Sequence, residues 1–348
     1  MRGRTAALIA ASAALTTGAV VASATAASGP PPPVGAKGVT VKLFAAGGGL
    51  TTPTSFAFGG GNVFEGDGGH EGSNVPDGGV FLLKGGTATK LAGSPAFVAG
   101  LAWHKGTLYI SGGEITAQGP KWRLWAWSGW NGTTFTKQKA IYTAPAKFDG
   151  FNGIAWGPDG RLYVGVDLGL TDNNDHGPAN RTPYLYDILS FQPNGHGLKV
   201  FASGMRQPWQ MAFEKGSKAP FVSDLGQDKP DGIKAPDFLL KVHKGDNFGF
   251  PQRNQTNANK CKGFAKPFKQ FSPHTDIMGL AIIGKTLYMT SFLGRQGQGK
   301  GEVLSMPLKG GPVKLVAASQ AAPTVGLGAS GGSLYLGELT GNVYKITP

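Results

Sequence analysis

The sequence predicts an all-β fold, a six-bladed β-propeller closed by an N-terminal strand that completes the last blade. Three features predict it: a glycine-rich composition without a collagen period, a phrase that recurs six times, and a last repeat that is one strand short. Of 348 residues, 57 are glycine and 24 are proline, and the glycines separate short apolar runs. Many strands joined by tight turns give that pattern. The length alone allows two or more domains, but a repeat architecture uses such a length as one.

The recurring phrase reads SFAF from Ser55, GLAW from Gly100, GIAW from Gly153, QMAF from Gln210, GLAI from Gly279 and GLGA from Gly326. Successive copies are 45, 53, 57, 69 and 47 residues apart. A second strand follows each: NVFEG, TLYIS, RLYVG, APFVS, TLYMT and SLYLG. A third follows a variable loop, as in GVFLLKGG, RLWAWSGW and FLLKVHKG. Four strands in about 45 residues is the size of a propeller blade, too small to bury both faces alone. The last repeat stops after its third strand at Pro348. VKLFAAGGGLTTP from Val41 matches VKLVAASQAAP from Val313, the fourth strand of the fifth repeat. The Val41 segment is therefore expected to supply the missing strand, which removes an exposed sheet edge.

Residues 1–26 read as a signal peptide, with Arg2 and Arg4 before a small, apolar stretch and the cleavage pattern Ala22-Ser23-Ala24. Residues 27–37 read as a Pro/Gly linker and 38–348 as the propeller. The expected location is secreted, periplasmic or extracellular. Cys261 is the only cysteine, which excludes an intramolecular disulfide. The net charge of +13 favours anionic partners in general. The lysines are scattered apart from Lys260, Lys262, Lys266 and Lys269, and no nucleic-acid-binding signature is present. No second segment is apolar enough for a membrane span. The expected state is a monomer or homodimer.

Strand direction alternates within an antiparallel blade, so the loops from second to third strand and the connections between blades share one face. That face collects Glu65, Asp67, His70, Glu71, Asp77, Glu114, Asp167, Asp172, Asp175, His176, Asp224, Asp228, Asp231, Asp237, Arg295 and Glu338 from the loops. The connections add Asp149, Arg206, Gln207 and His274. The opposite face carries turns such as Gly157 to Gly160. Carboxylates and carbonyls in Gly-rich loops suit a hard cation such as calcium. Ordinary Asp and Gly turn chemistry is the plainer alternative.

Several phrases together resemble the glucose/sorbosone dehydrogenase family, six-bladed propellers that use pyrroloquinoline quinone (PQQ) with calcium. The resemblance is carried by Gly157-Pro158-Asp159-Gly160-Arg161-Leu162-Tyr163, Gly204-Met205-Arg206-Gln207-Pro208, Asp224 to Gly226, Asp237, Gly245-Asp246-Asn247-Phe248-Gly249-Phe250-Pro251 and Pro273-His274 with Gly279-Leu280. It implies an oxidoreductase acting on a sugar or other polyol. It implies Arg206 at the quinone, with Gln207 in place of the family's asparagine. His274 and Arg295 join them as cofactor-binding candidates. Asp224, Gly226, Gln227 and Asp237 fall at the implied calcium.

Two departures stand out. The family's catalytic histidine lies eight residues before the GPDG turn, where this chain has Asp149. Its D-E-x-N phrase is reduced to Asp237-Phe238-Leu239-Leu240. The implied catalytic residues are thus Asp149 and Arg206. Fold does not carry activity across such changes, so two other readings stand beside it. One is a non-catalytic propeller binding carbohydrate or an envelope polymer, with Trp122, Trp125, Trp127 and Trp130 as stacking surfaces; alternating Trp on a third strand more often means core. The other is a calcium-dependent lactonase using Glu65, Asn152 and Asp224.

Overall fold

The computed structural model describes residues 29–70, 77–167, 183–227, 235–252, 263–272, 274–295 and 299–348. The signal peptide, Cys261, Lys260, Lys262, Glu71, Asp172, Asp175, His176, Asp228 and Asp231 lie outside them. Every regular element among the described residues is a strand. No described helix is long and apolar enough to cross a membrane.

The strands fall into six successive units of four. The first unit holds β3 (Pro53–Gly59), β4 (Asn62–Asp67), β5 (Gly79–Lys84) and β6 (Gly86–Lys90). The second holds β7 (Phe97–His104), β8 (Thr107–Thr116), β9 (Gly119–Trp130) and β10 (Phe135–Thr143). The third holds β11 (Phe151–Trp156), β12 (Leu162–Val166), β13 (Ile188–Phe191) and β14 (Lys199–Ala202). The fourth holds β15 (Pro208–Ala212), β16 (Phe221–Asp224), β17 (Asp237–Lys241) and β18 (Lys269–Phe271). The fifth holds β19 (Ile277–Ile283), β20 (Thr286–Ser291), β21 (Glu302–Pro307) and β22 (Lys314–Ala318).

The sixth unit holds β23 (Thr324–Ser330), β24 (Ser333–Glu338) and β25 (Val343–Thr347), and takes its fourth strand from the N-terminal end as β2 (Thr40–Ala46). β2 runs antiparallel to β25, with Thr40 opposite Thr347. It also pairs in parallel with β6 at Ala45 and Ala46, so the last and first units form one eight-stranded sheet. The segment read as a linker is not all linker: β1 (Val34–Gly35) pairs with β22 and satisfies the open edge of the fifth unit.

First strands form the inner layer. Each contacts the first strand of the next unit, and β23 contacts β3. The second strands behind them are buried on both faces, so β12 reads as an unbroken apolar run. Tight hairpins link first to second strands. Between β7 and β8 the turn is Lys105-Gly106, both at positive φ (44° and 79°), which matches strand twist.

The core lies between units. Trp127 is fully buried and Trp125 nearly so, among Phe64, Val98, Leu108 and Ile110. Trp122 and Trp130 are half-buried against the same layers. The tryptophan run therefore serves the core and offers no open stacking platform.

Buried polar side chains of first and second strands tie one unit to the first strand of the next. Thr54 Oγ1 donates to Val98 O at 2.6 Å, Ser111 Oγ to Asn152 O at 2.6 Å and Asn152 Nδ2 to Pro208 O at 3.1 Å. Ser223 Oγ donates to Met278 O at 2.7 Å and Thr290 Oγ1 to Val325 O at 2.7 Å. On the axis, Gln210 of β15 reaches across to the first and second units, donating to Thr54 O at 3.5 Å and Ala99 O at 3.1 Å. A cavity of about 260 Å³ beside it is lined by residues of all six inner strands, including Phe58, Leu101, Ile154, Met211, Leu280 and Leu327.

Ser223→Ala and Thr290→Ala each leave a buried carbonyl without its donor. Each is expected to cost about 1–3 kcal/mol in denaturant unfolding, whereas Thr87→Ala, an exposed side chain at the start of β6, should fall within about 0.5 kcal/mol.

Candidate functional site

Three connections converge on one face. The β14–β15 link brings Met205, Arg206 and Gln207, the end of β16 brings Asp224 to Gln227, and the β18–β19 link brings His274 to Asp276. Gly204 sets the first of these. It sits at φ 73°, and an added Cβ would come 2.2 Å from Asn247 Oδ1 and 2.4 Å from Gly249 N. Its carbonyl takes Phe250 N at 2.9 Å, and Ser203 O takes Phe248 N at 3.0 Å. The Gly204-Met205-Arg206 and Gly245-to-Pro251 phrases are therefore two sides of one packed turn. Tyr186 closes it, edge-on to Phe250 at 4.8 Å, while its carbonyl accepts Met205 N.

Arg206 is buried at 3% exposure. Its guanidinium donates to Gly226 O, to Leu225 O at 3.4 Å and to Gln207 Oε1 at 3.4 Å. Gln207 donates its backbone N–H to Asp224 Oδ1 at 2.8 Å and its side-chain amide to Asp167 Oδ1 at 3.2 Å. Asp167 N in turn donates to Gly150 O at 2.9 Å, beside half-buried Asp149. Asp167, Arg206, Gln207 and Asp224 are thus linked through side chains, with Asp149 next to Gly150 in the chain.

Asp237 is the second hub. It is fully buried, accepting Gly226 N at 2.9 Å on Oδ1 and Thr275 N at 2.9 Å on Oδ2. His274 Nδ1 lies 2.9 Å from Asp237 Oδ1, and its Nε2 lies 2.9 Å from Asp276 Oδ1. Asp276 escaped the sequence reading, although it follows the candidate His274 by two residues in the same connection. It holds a left-handed backbone, φ 54°. Four of the five described non-glycine residues at positive φ (Lys147, Tyr184, Tyr186 and Asp276) lie in second-to-third-strand loops or inter-unit connections. Strain of this kind gathers where surrounding structure enforces a site.

Burial raises Asp224 to about 7, against the opposing pull of the Gln207 N–H and the Arg206 charge. Asp187, which the sequence reading also passed over, is raised by burial to about 7. Glu338 is raised by burial, partly offset by the Ser319 and Thr340 hydroxyls.

Other candidates stand elsewhere. Arg295 is exposed and donates through Nε to Glu302 Oε2 at 2.8 Å within its own unit, so it does not join the cluster. Asn152 spends its amide on Pro208 O. Glu65 is fully buried in β4 opposite Phe56 and Phe81. Both residues have structural roles: Glu65 lies within the sheet of its own unit, while Asn152 bonds Pro208, the strand partner of Asp224.

The implied calcium does not fit the residues present. Gly226 O, a carbonyl proposed as its ligand, accepts from Arg206, so a guanidinium occupies the cation's place. A second cation there would meet like charge. A planar anionic quinone does fit in charge, because Arg206 is the one buried Lys or Arg among the described residues.

No protein-family model matches the chain, and no curated protein matches it. Solved structures do. The PQQ-bound aldose sugar dehydrogenase from Streptomyces coelicolor superposes with a TM-score of 0.62 at 20% identity, covering 91% of this chain and 99% of that one. A glucose dehydrogenase gives 0.68 at 16% identity, over 89% and 99%. A gluconolactonase from Xanthomonas campestris gives 0.58 at 14% identity, over 92% and 96%. At these identities the likeness is one of fold, and the resemblance to sugar dehydrogenases read from the sequence extends to that fold.

Glu65 yields a pH test. Burial first, then the Asp67 charge, push its carboxyl well above the usual range, with the Thr54 backbone opposing. The folded state therefore favours the neutral acid, and stability present at low pH is lost as pH rises toward the folded value. Glu65→Gln should stabilise the protein at pH 8 by about 1–3 kcal/mol and do little at pH 4, as read by thermal unfolding at both.

Proposed function

We propose that the protein is an exported sugar or polyol oxidoreductase, built as a closed six-bladed β-propeller that uses PQQ. The carrying observation is buried Arg206, fixed between the Leu225 and Gly226 carbonyls beside Asp224. When bound, the quinone would supply the two-electron acceptor for hydride from the carbon that bears the substrate hydroxyl. Arg206 and Gln207 would hold its anionic groups. Asp149, half-buried and reachable, stands where the related enzymes have a basic histidine and would take the hydroxyl proton. The active face is that of the inter-unit connections, away from the hairpin turns.

Asp224 gives this reading a pH signature. Below about 7 its carboxyl is neutral and leaves the Arg206 charge whole; above about 7 it ionises and offsets that charge. Affinity for an anionic cofactor should therefore fall as pH rises through 7, and Asp224→Asn should flatten the dependence.

The deciding experiment titrates the purified mature chain with PQQ, followed by quinone absorbance and fluorescence, and then screens aldoses and polyols by dye reduction. Saturable binding that weakens at least about tenfold in Arg206→Ala, a loss of about 1.4 kcal/mol, is the expected result. Dye reduction should then fall in Asp149→Asn with binding intact. Absence of binding at tens of micromolar PQQ sinks the quinoprotein reading and leaves a carbohydrate-binding propeller.

A further inference from the structure

We propose that Asp237, His274 and Asp276 form a site for a borderline divalent ion of the zinc or cobalt(II) kind, in place of the calcium implied by the resemblance. One ligand atom from each residue lies within 4.8 Å of the other two, and all three residues are buried. The donor chemistry separates the metals. Calcium takes oxygen ligands at high coordination number, whereas imidazole with carboxylates selects borderline first-row ions. The nearest alternative ligand, Gly226 O, is held by Arg206, which keeps a second cation from that side of the loop.

The ligands are preorganised. Asp237 is aimed by two backbone donors, Gly226 N and Thr275 N. The His274–Asp276 connection is pinned to the end of β20: Thr275 O accepts Leu293 N at 3.2 Å and Ser291 Oγ at 3.2 Å, and Asp276 O accepts Phe292 N at 2.9 Å. Backbone partners of this kind orient metal ligands and hold affinity. His274 meets a carboxylate on both sides, at 2.9 Å each. One ring nitrogen would take the ion together with the carboxylate beside it, while the other keeps its proton toward the second carboxylate, the usual arrangement of a metal-bound histidine. The histidine and that carboxylate leave the remaining positions to water or a substrate oxygen. The site adjoins the Arg206 cluster through Gly226 but does not depend on the oxidoreductase reading.

The test uses the mature full chain stripped with chelator, then titrated with cobalt(II) and followed in the visible region. One equivalent should bind with ligand-field bands of a nitrogen and oxygen site, and millimolar calcium should not displace it. His274→Ala and the isosteric Asp276→Asn should each weaken binding by about 10–100-fold, with circular dichroism confirming the fold. If His274→Ala does not fold, Asp276→Asn carries the test. A spectrum of the free aquo ion, unchanged binding in the folded variants, or displacement by calcium overturns the proposal. None of these readouts involves turnover or PQQ, so failure of the dehydrogenase reading and failure of the metal site are told apart.

Discussion

Successive units meet along their inner strands, and the fifth residue of each second-strand phrase sets how closely. It is Gly66, Ser111, Gly165, Ser223, Thr290 or Gly337 in turn. Where it bears a hydroxyl, that group crosses to a carbonyl of the next unit, at 2.6 or 2.7 Å. Where it is glycine, the neighbouring strand closes in: a Cβ on Gly165 would lie 2.1 Å from Pro208 O, and one on Gly337 would lie 2.5 Å from Pro53 O. Either solution satisfies or accommodates backbone that would otherwise be buried without a partner. Gln210 adds a crossing of the axis itself. Everything on the polar face is positioned by this inner ring, because the connections start and end on its strands.

The functional cluster is a product of that geometry. Arg206 leaves one unit as Gly226 arrives from the next, and their contact is a junction between repeats as well as a site. The carbonyl that the sequence resemblance assigns to a cation here accepts from a guanidinium. Charge is thereby fixed in the protein. An anionic ligand can use it directly, while a metal must find donors elsewhere, and Asp237, His274 and Asp276 are the set that remains.

Much of this was legible in the sequence. The repeats, the strand order within them and the donation of Val41 to the last unit follow from apolar runs and turn residues, which are local signals. The sharing of one face by Arg206, Gln207, Asp224, Asp237 and His274 follows from strand parity. Other points needed distances. Arg295 shares the face but is held by Glu302. Glu65 looked like a face residue, yet its four-residue offset in NVFEG is the place of Ile110, Val164, Val222, Met289 and Leu336, all fully buried. Asp276 and Asp187 gave no signal of their own, since an aspartate near a strand end is also ordinary turn chemistry. Only burial separates them from it.

The N-terminal segment engages three units at once. β1 edges the fifth, and β2 lies between β25 and β6. Thr40 meets Thr347, so a strand near the start of the described residues pairs with the last strand. Such a pairing carries the largest loop-closure cost the chain can incur, and it rewards nothing until the final residues are available. A chain delivered from its N-terminus therefore exposes its first strand longest, with unit edges open throughout. Loss of either β2 or β25 removes the same pairing.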